Sequence, residues 1–237
     1  MSKIYFFRHA QASLGRDNYD VLSKKGEFQA YQLAKFLVKN NYKFDKIYVG
    51  TLKRQIHTLE IITDEYKKNN LIMPNPIILE DLNEHQATEA MKSEIPRMIK
   101  TDRYIKSLWK EIEFNPKKKN TNLMLGFKYF LNLWVENKIM VDGIIPWKDF
   151  RKNVRNGLKI ILKSTETNQN IGAFTSGGTI SSITAESLNI KDDLKIANLN
   201  FSIRNTSFTS FFYYKQNFDL LSFNELPHLK KDLITFV

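Results

Sequence analysis

The sequence predicts an α/β fold: a three-layer α/β/α sandwich around a mainly parallel central sheet, with a helical cap inserted into it. Three observations lead there. Short apolar runs alternate with amphipathic stretches of helical period near both ends of the chain, the signature of a parallel sheet covered by helices on both faces. Polar clusters follow the ends of several of those runs. Between about residues 85 and 145 the alternation stops, and a segment holding Trp109, Trp134 and "MLGFKYFLNLWV" reads as mostly helical.

"KIYFF" (3–7) reads as a buried first strand. After Ser23, a candidate N-cap, Ala30, Leu33, Ala34, Leu37 and Val38 recur at helical spacing. "KIYVG" (46–50) is a second strand ended by Gly50, and Thr51 is expected to cap a helix carrying Leu52, Ile56, Leu59 and Ile62. "PIILE" (76–80) is a third strand, followed by the helical insertion. Phe150, Val154, Leu158, Ile161 and Leu162 mark another amphipathic helix, which feeds the strand "IGAFT" (171–175), then "SGG", then a short helix around Ile180 to Leu188. "NTSFTSFFYY" and "NFDLLSFNEL" flank Lys215-Gln216 and read as a β-hairpin. No Gly/Ser/Pro-rich linker sets the insertion apart, so residues 1–237 are expected to form a single domain with a cap over about 85–145.

Composition narrows the function classes. With 42% hydrophobic and 13% aromatic residues the chain has ample material for a core and is not a disordered protein. The absence of cysteine excludes a disulfide framework, a thiolate metal site and a thiol nucleophile. "MSKIYFF" runs into Arg8 without a signal-peptide core, and no apolar stretch approaches the roughly 18 residues of a membrane span. A cytoplasmic protein without a membrane partner is expected. Lys and Arg outnumber Asp and Glu by 36 to 25, a net charge of +11 that favours anionic partners. The excess is spread along the chain, and its one dense run, Lys117 to Lys119, reads as a solvated loop. No nucleic-acid-binding module is recognisable, so nucleic acid is not an expected partner.

Ligands of parallel sheets bind at the carboxyl ends of the strands. Arg8-His9, Gly50-Thr51, Glu80 to Glu84 and Thr175 to Gly178 all fall at such ends, so four polar clusters converge on one rim. Arg54 lies in the first turn of its helix, where backbone N–H groups and the dipole favour an anion, with His57 and Thr58 on nearly the same face. "TSGGT" before a helix permits close approach of an anion. It is not a serine-hydrolase elbow, because Phe174 stands where that motif needs glycine. Each cluster alone is ordinary surface chemistry. Two arginines, a histidine, a carboxylate and a helix-N-terminal turn together form a phosphate pocket with a nucleophile and a proton donor.

The arrangement and order resemble the histidine phosphatase superfamily, which includes the cofactor-dependent phosphoglycerate mutases. Arg8-His9-Ala10 matches its Arg-His-Gly after the first strand, and "GTLKRQIHT" its small-x-x-Arg-(Ala/Gln)-x-x-Thr segment. "LNEHQ" matches its Leu-x-Glu, "FTSGG" falls where Thr-His-Gly-Gly is usual, and "FNELPHL" resembles its Asn-x-x-x-His-Leu finish. The resemblance spans residues 3–84 and 147–229, and the insertion lies where that family carries its substrate-recognising cap. There are two departures. Ala10 replaces glycine, at little cost where φ is negative. Ser176 replaces the second catalytic histidine, a neutral and shorter donor whose loss as an imidazole typically costs ~10²–10³ in rate. A subset of the superfamily pairs "RHGQAS", "DYD-x-LS" and "TSGG", and this chain has "RHAQAS", "NYDVLS" and "TSGG".

The resemblance implies a phosphomonoester phosphatase. His9 attacks phosphorus to form a phosphohistidine, Arg8 and Arg54 clamp the phosphate, and Glu84 acts as general acid and then base. Gln11, Ser176 and Gly177 supply further phosphate contacts. It implies no cofactor and no metal, with a phosphorylated small molecule or a phosphopeptide as partner. The rival readings are a catalytically weak or silent phospho-ligand-binding protein, motivated by Ser176, and a basic nucleic-acid binder, motivated by charge. A phosphoglycerate-type mutase ranks behind the phosphatase, because the extra basic residues that a mutase needs in its cap are not identifiable.

Overall fold

The structure, a computed structural model, describes residues 1–13 and 20–236. Strand β1 (Ser2–Arg8) lies inside the sheet; Lys3 is exposed and Tyr5 half-buried near its start, but from Phe6 to Arg8 both faces are buried, which is why the sequence there does not alternate. The other strands are β2 (Lys46–Val49), β3 (Pro76–Ile78), β4 (Asn170–Thr175), β5 (Phe208–Tyr214) and β6 (Asn217–Glu225). Among the described residues they form one sheet in the order β3-β2-β4-β1-β5-β6. The first four are mutually parallel, and β5 and β6 complete a mixed sheet by antiparallel pairing.

Successive residues of the central strands enter two separate cores. Ile4, Phe6, Tyr48, Ile171 and Ala173 face one side; Phe7, Ile47, Val49 and Phe174 face the other. The second side is covered by α1 (Lys24–Lys39) and α2 (Lys53–Lys68) through Leu33, Leu37, Leu59 and Ile62. Here Phe7 stacks on Phe174 across the β1–β4 pair with ring centroids 4.8 Å apart. The first side is covered by α6 (Trp147–Ser164) and α7 (Gly177–Ser187). Helices α3 (Ala87–Thr101), α4 (Arg103–Phe114) and α5 (Lys119–Val135) make up the insertion, and their Ala90, Met98, Ile105, Phe130 and Trp134 join the same core as the sheet. The three layers and the helical insertion are those predicted.

Local details correct the sequence reading in two places. Leu52, not Thr51, occupies the N-cap of α2. The Thr51 hydroxyl is taken by the Asn83 amide, and the first N–H groups of the helix, Lys53 at 2.8 Å and Arg54 at 3.4 Å, bind the Asp20 carboxylate instead. A further helix, α8 (Asp193–Leu199), passed unnoticed because seven residues are too few to show a period; Asp192 caps it by accepting from the Lys195 N–H. The other caps and turns follow the sequence. Ser23 accepts from Gly26 N–H at the start of α1. The β5–β6 hairpin turns through Lys215 and Gln216, both left-handed at φ 48° and 69°, the geometry a two-residue hairpin demands.

His228, from the C-terminal "NELPHL", packs beside Phe36 and donates from Nε2 to the Thr206 hydroxyl, which itself donates to the Asn205 carbonyl. Burial pushes its pKa down from 6.5 to about 4. The unfolded chain therefore takes up this proton first as pH falls, so the contribution to stability is complete above pH 6.5 and is lost toward pH 4. Urea titrations should show a loss on the order of 3 kcal/mol over that window, and His228→Gln, which keeps the donor but does not titrate, should remove that component.

Candidate active site

The four rim clusters meet as the topology requires. Arg8 closes β1 opposite Thr175 of β4, and the His9 N–H donates to the Thr175 carbonyl at 2.9 Å. The His9 carbonyl accepts from the Thr206 N–H and from the Asn205 side chain, each at 3.3 Å. The backbone of residue 9 is thus fixed from both neighbouring strands, and its side chain is 2% exposed.

Two contacts define the state of the imidazole. Nδ1 lies 2.7 Å from the Ala10 carbonyl, and Arg54 donates from Nε to Nε2 at 3.1 Å. A guanidinium has no lone pair to offer, so Nε2 must be the acceptor and the proton resides on Nδ1. Burial first, then the charges of Arg54 and Arg8, hold the His9 pKa well below the usual imidazole range, against the opposing pull of the Ala10 carbonyl. Near neutral pH the ring is an unprotonated base with its lone pair on Nε2, the form a nucleophile needs.

Each position of the "Arg-Gln-x-x-Thr" segment at the start of α2 has a distinct task. Arg54 reaches His9 with Nε and pairs through Nη1 with Asp20 at 2.8 Å. Gln55 donates from Nε2 to the Ser176 hydroxyl at 2.8 Å and to the Leu82 carbonyl at 3.2 Å. Thr58 accepts from the Ala10 N–H at 3.0 Å while donating to the Arg54 carbonyl. The replacement at residue 10 is benign: Ala10 is not among the described residues with positive φ, and its methyl packs with Leu22 and Ala30.

Arg8 is buried, its Nη1 donating to the Ile203 and Phe236 carbonyls. Its Nε lies 3.5 Å from where a side chain on Gly177 would begin, so the guanidinium flanks the N-terminus of α7. Glu84 reaches the same turn: both carboxylate oxygens accept from the Gly178 N–H at 3.1 Å, and Oε1 also accepts from the His85 N–H at 3.0 Å. A Cβ on Gly178 would stand 2.2 Å from that oxygen, so a side chain there would displace Glu84 from this position. Ser176 is fully buried, with its hydroxyl oxygen held by Gln55. Gln11 sits at the side of the cluster, its side-chain oxygen accepting from the Ser23 hydroxyl at 2.9 Å. A cleft of about 510 Å³ touches the cluster at Glu84 and His85, with Leu52, Leu79, Asn83 and Phe150 among its walls. His9, Arg8 and Arg54 do not line it.

The sequence points to seven catalytic or phosphate-binding candidates at this rim. Arg8, His9, Arg54, Glu84, Ser176 and Gly177 lie at its converging ends, with Gln11 at the margin. The supporting set of Asp20, Gln55, Asn205 and Thr206 is not among them. Asp20 belongs to the quoted "NYDVLS", whose Asn18 and Tyr19 lie outside the described residues, and that motif was its only signal.

A family model described as the histidine phosphatase superfamily (branch 1) matches residues 4–121, from β1 into the insertion. The chain belongs to the histidine phosphatase superfamily. Solved structures share its fold over nearly their whole length. YhfR of Bacillus stearothermophilus is 17% identical, with a TM-score of 0.64 over 96% of this chain and 99% of that one. A phosphoserine phosphatase variant from Entamoeba histolytica, in complex with phosphoserine, is 20% identical with a TM-score of 0.59 over 97% and 100%. A mycobacterial glucosyl-3-phosphoglycerate phosphatase in complex with VO3 is 16% identical with a TM-score of 0.61 over 94% and 99%.

The electrostatic account of this histidine phosphatase fold can be checked by ¹⁵N NMR of the imidazoles. His9 should show the neutral Nδ1–H tautomer across the range in which a solvated imidazole titrates. Arg54→Gln should raise its pKa toward the ordinary value, stopping short of it because burial remains.

Proposed function

We propose that the protein is a phosphatase that hydrolyses a phosphomonoester through a phosphohistidine on His9. The observation that supports this most directly is the pairing of His9 Nε2 with Arg54 Nε at 3.1 Å in a buried, cation-rich site. It joins a neutral nucleophile to a group that binds the oxygens of the atom under attack. As the ester arrives, Arg54 turns from the imidazole to the phosphoryl oxygens, which frees the Nε2 lone pair for in-line attack. Arg8 and Arg54 then offset the equatorial charge, with guanidinium geometry suited to phosphate. The N-terminal turn of α7 at Ser176-Gly177 supplies further N–H donors, and Ser176 and Gln11 are the additional side-chain donors.

Glu84 gives its proton to the departing oxygen, which leaves as an alcohol, and then takes one from water as that water attacks the phosphohistidine. This restores His9 and releases phosphate. In the resting arrangement Glu84 is held on the Gly178 N–H, at a helix terminus where a phosphate oxygen also fits. Substrate binding and release of the Glu84 side chain are therefore one event. His9 and both arginines are nearly fully buried, so the rim opens before an ester reaches them. The leaving group would extend toward the cleft beside Glu84, which makes the cap and its junction with α6 the determinant of substrate choice. A phosphorylated small molecule or a phosphopeptide suits the reading, in a cytoplasmic setting. Among the described residues no helix is long and apolar enough to cross a membrane.

The silent-binder alternative draws on Ser176, whose hydroxyl cannot supply the charge of an imidazole. One experiment separates the two. Incubation with ³²P-labelled ester and rapid quenching into alkali, in which phosphohistidine survives, should label the wild-type chain and not His9→Ala. The same variant should lose phosphate release from p-nitrophenyl phosphate, and Arg54→Gln should lower kcat/KM about 10²–10³-fold. Turnover at the wild-type rate in His9→Ala would refute the mechanism; phosphate-ester affinity with no label in the wild type would establish the binder.

A further inference from the structure

His85 follows Glu84 directly, and the phosphatase reading gives it no task. Its ring is buried in a cage of Trp134, Trp147 and Phe150, with centroid separations of 5.8, 5.9 and 5.5 Å. These come from α5 and α6, so the insertion and the helix after it set the orientation of the imidazole. Three aromatic walls would accommodate a phenyl ring equally well, so packing alone does not explain a polar one.

The hydrogen bonds do. The Ala87 N–H donates to Nδ1 at 3.4 Å, which leaves the proton of the neutral ring on Nε2. Nε2 faces two groups: the Asn200 side-chain amide, whose Nδ2 lies at 3.3 Å and whose oxygen accepts there once the amide is turned over, and Glu84 Oε1 at 3.6 Å, a small torsional shift beyond hydrogen-bond range. The ring also lies against the first turn of α7. A Cβ on Gly178 would meet its Cδ2 at 2.6 Å and Nε2 at 3.0 Å. An imidazole therefore stands beside the helix terminus at which Ser176 replaces one.

We propose that His85 is a positioning residue for Glu84, its Nε2–H capturing the carboxyl group when a phosphoryl oxygen takes the Gly178 N–H and holding it toward the ester oxygen. This rests on the reading of Glu84 as the acid and base. In the resting structure Glu84 has the Gly178 N–H and the His85 backbone N–H as donors. Once phosphate claims the first, a carboxyl group with only the second would rotate freely about its last torsions. The His85 side chain is the neighbouring donor already aimed at it. The cap thereby acts on the chemistry through the caged ring as well as through the leaving group.

The test uses kcat/KM, which for an enzyme with a covalent intermediate reads only the steps through His9 phosphorylation. The substrates run from 2,4-dinitrophenyl through p-nitrophenyl to unsubstituted phenyl phosphate, in order of rising need for a proton donor. His85→Phe fills the cage without a donor, and His85→Gln keeps an N–H near the position of Nε2. His85→Phe should leave the dinitrophenyl ester nearly unaffected and lower phenyl phosphate about ten- to a hundredfold, and His85→Gln should restore most of that loss. Glu84→Gln is the control for the underlying reading, with a larger loss of the same pattern. A leaving-group-dependent loss in Glu84→Gln with none in His85→Phe overturns the proposal alone. An equal loss on all esters in His85→Phe, or no rescue by His85→Gln, assigns the ring a purely structural role and also overturns it. No leaving-group dependence in Glu84→Gln, or no turnover by the wild type, overturns both readings.

Discussion

Strand β1 runs parallel to β4 in a register that sets Arg8 opposite Thr175, and His9 donates its N–H to the Thr175 carbonyl. That pairing puts the end of the first strand beside the turn that starts α7, so residues about 170 apart in sequence become neighbours. A slip of one residue would exchange the two faces of β1, driving Phe7 out of the core it shares with Phe174 and turning the strand end away from β2. The stacked rings on one side and Ile4 and Phe6 on the other therefore specify the location of the chemistry as well as the stability of the sheet. The parallel β2–β4 pairing does the same for Arg54, whose helix begins where β2 ends.

Electrostatics then dictate the rest of the site. Two buried guanidinium groups beside an imidazole would be costly if unsupported. Arg8 is supported by the carbonyls of Ile203 and Phe236, and Arg54 by the Asp20 carboxylate and the His9 lone pair. Glu84 and the α7 terminus complement one another in the same way. Arg8 Nη1, Arg54 and the Gly178 N–H of the resting site thus face internal acceptors, and the two buried cations also help keep His9 neutral. The overall charge of +11 has little part in this, since the decisive charges are few and desolvated.

Much of this was legible in the sequence. The strands announce themselves as apolar runs ending in polar pairs, and Ser23 and the Lys215-Gln216 turn sit where local rules place them. The rim residues could be listed because parallel sheets bring their carboxyl ends together. Less legible were features whose cause lies far off in the chain. The Asp20 cap on α2 was invisible because the sequence shows only a threonine beside a helix start, and Asn83 had already claimed that threonine. Gln55 occupies an ordinary helical position until the fold brings Ser176 within 2.8 Å.

The residues of this chain by themselves determined the layer order, the helical insertion and the chemical inventory of the candidate site, because periodicity and side-chain type are local properties. Only the tertiary structure decided which proton His9 carries, which acceptors hold the arginines at rest, and that a second imidazole, His85, stands beside Glu84. Those outcomes depend on burial and on distances of about 3 Å between segments far apart in sequence. Hydrogen bonding and desolvation change steeply over fractions of that length, whereas spacing along the chain carries no information at that scale.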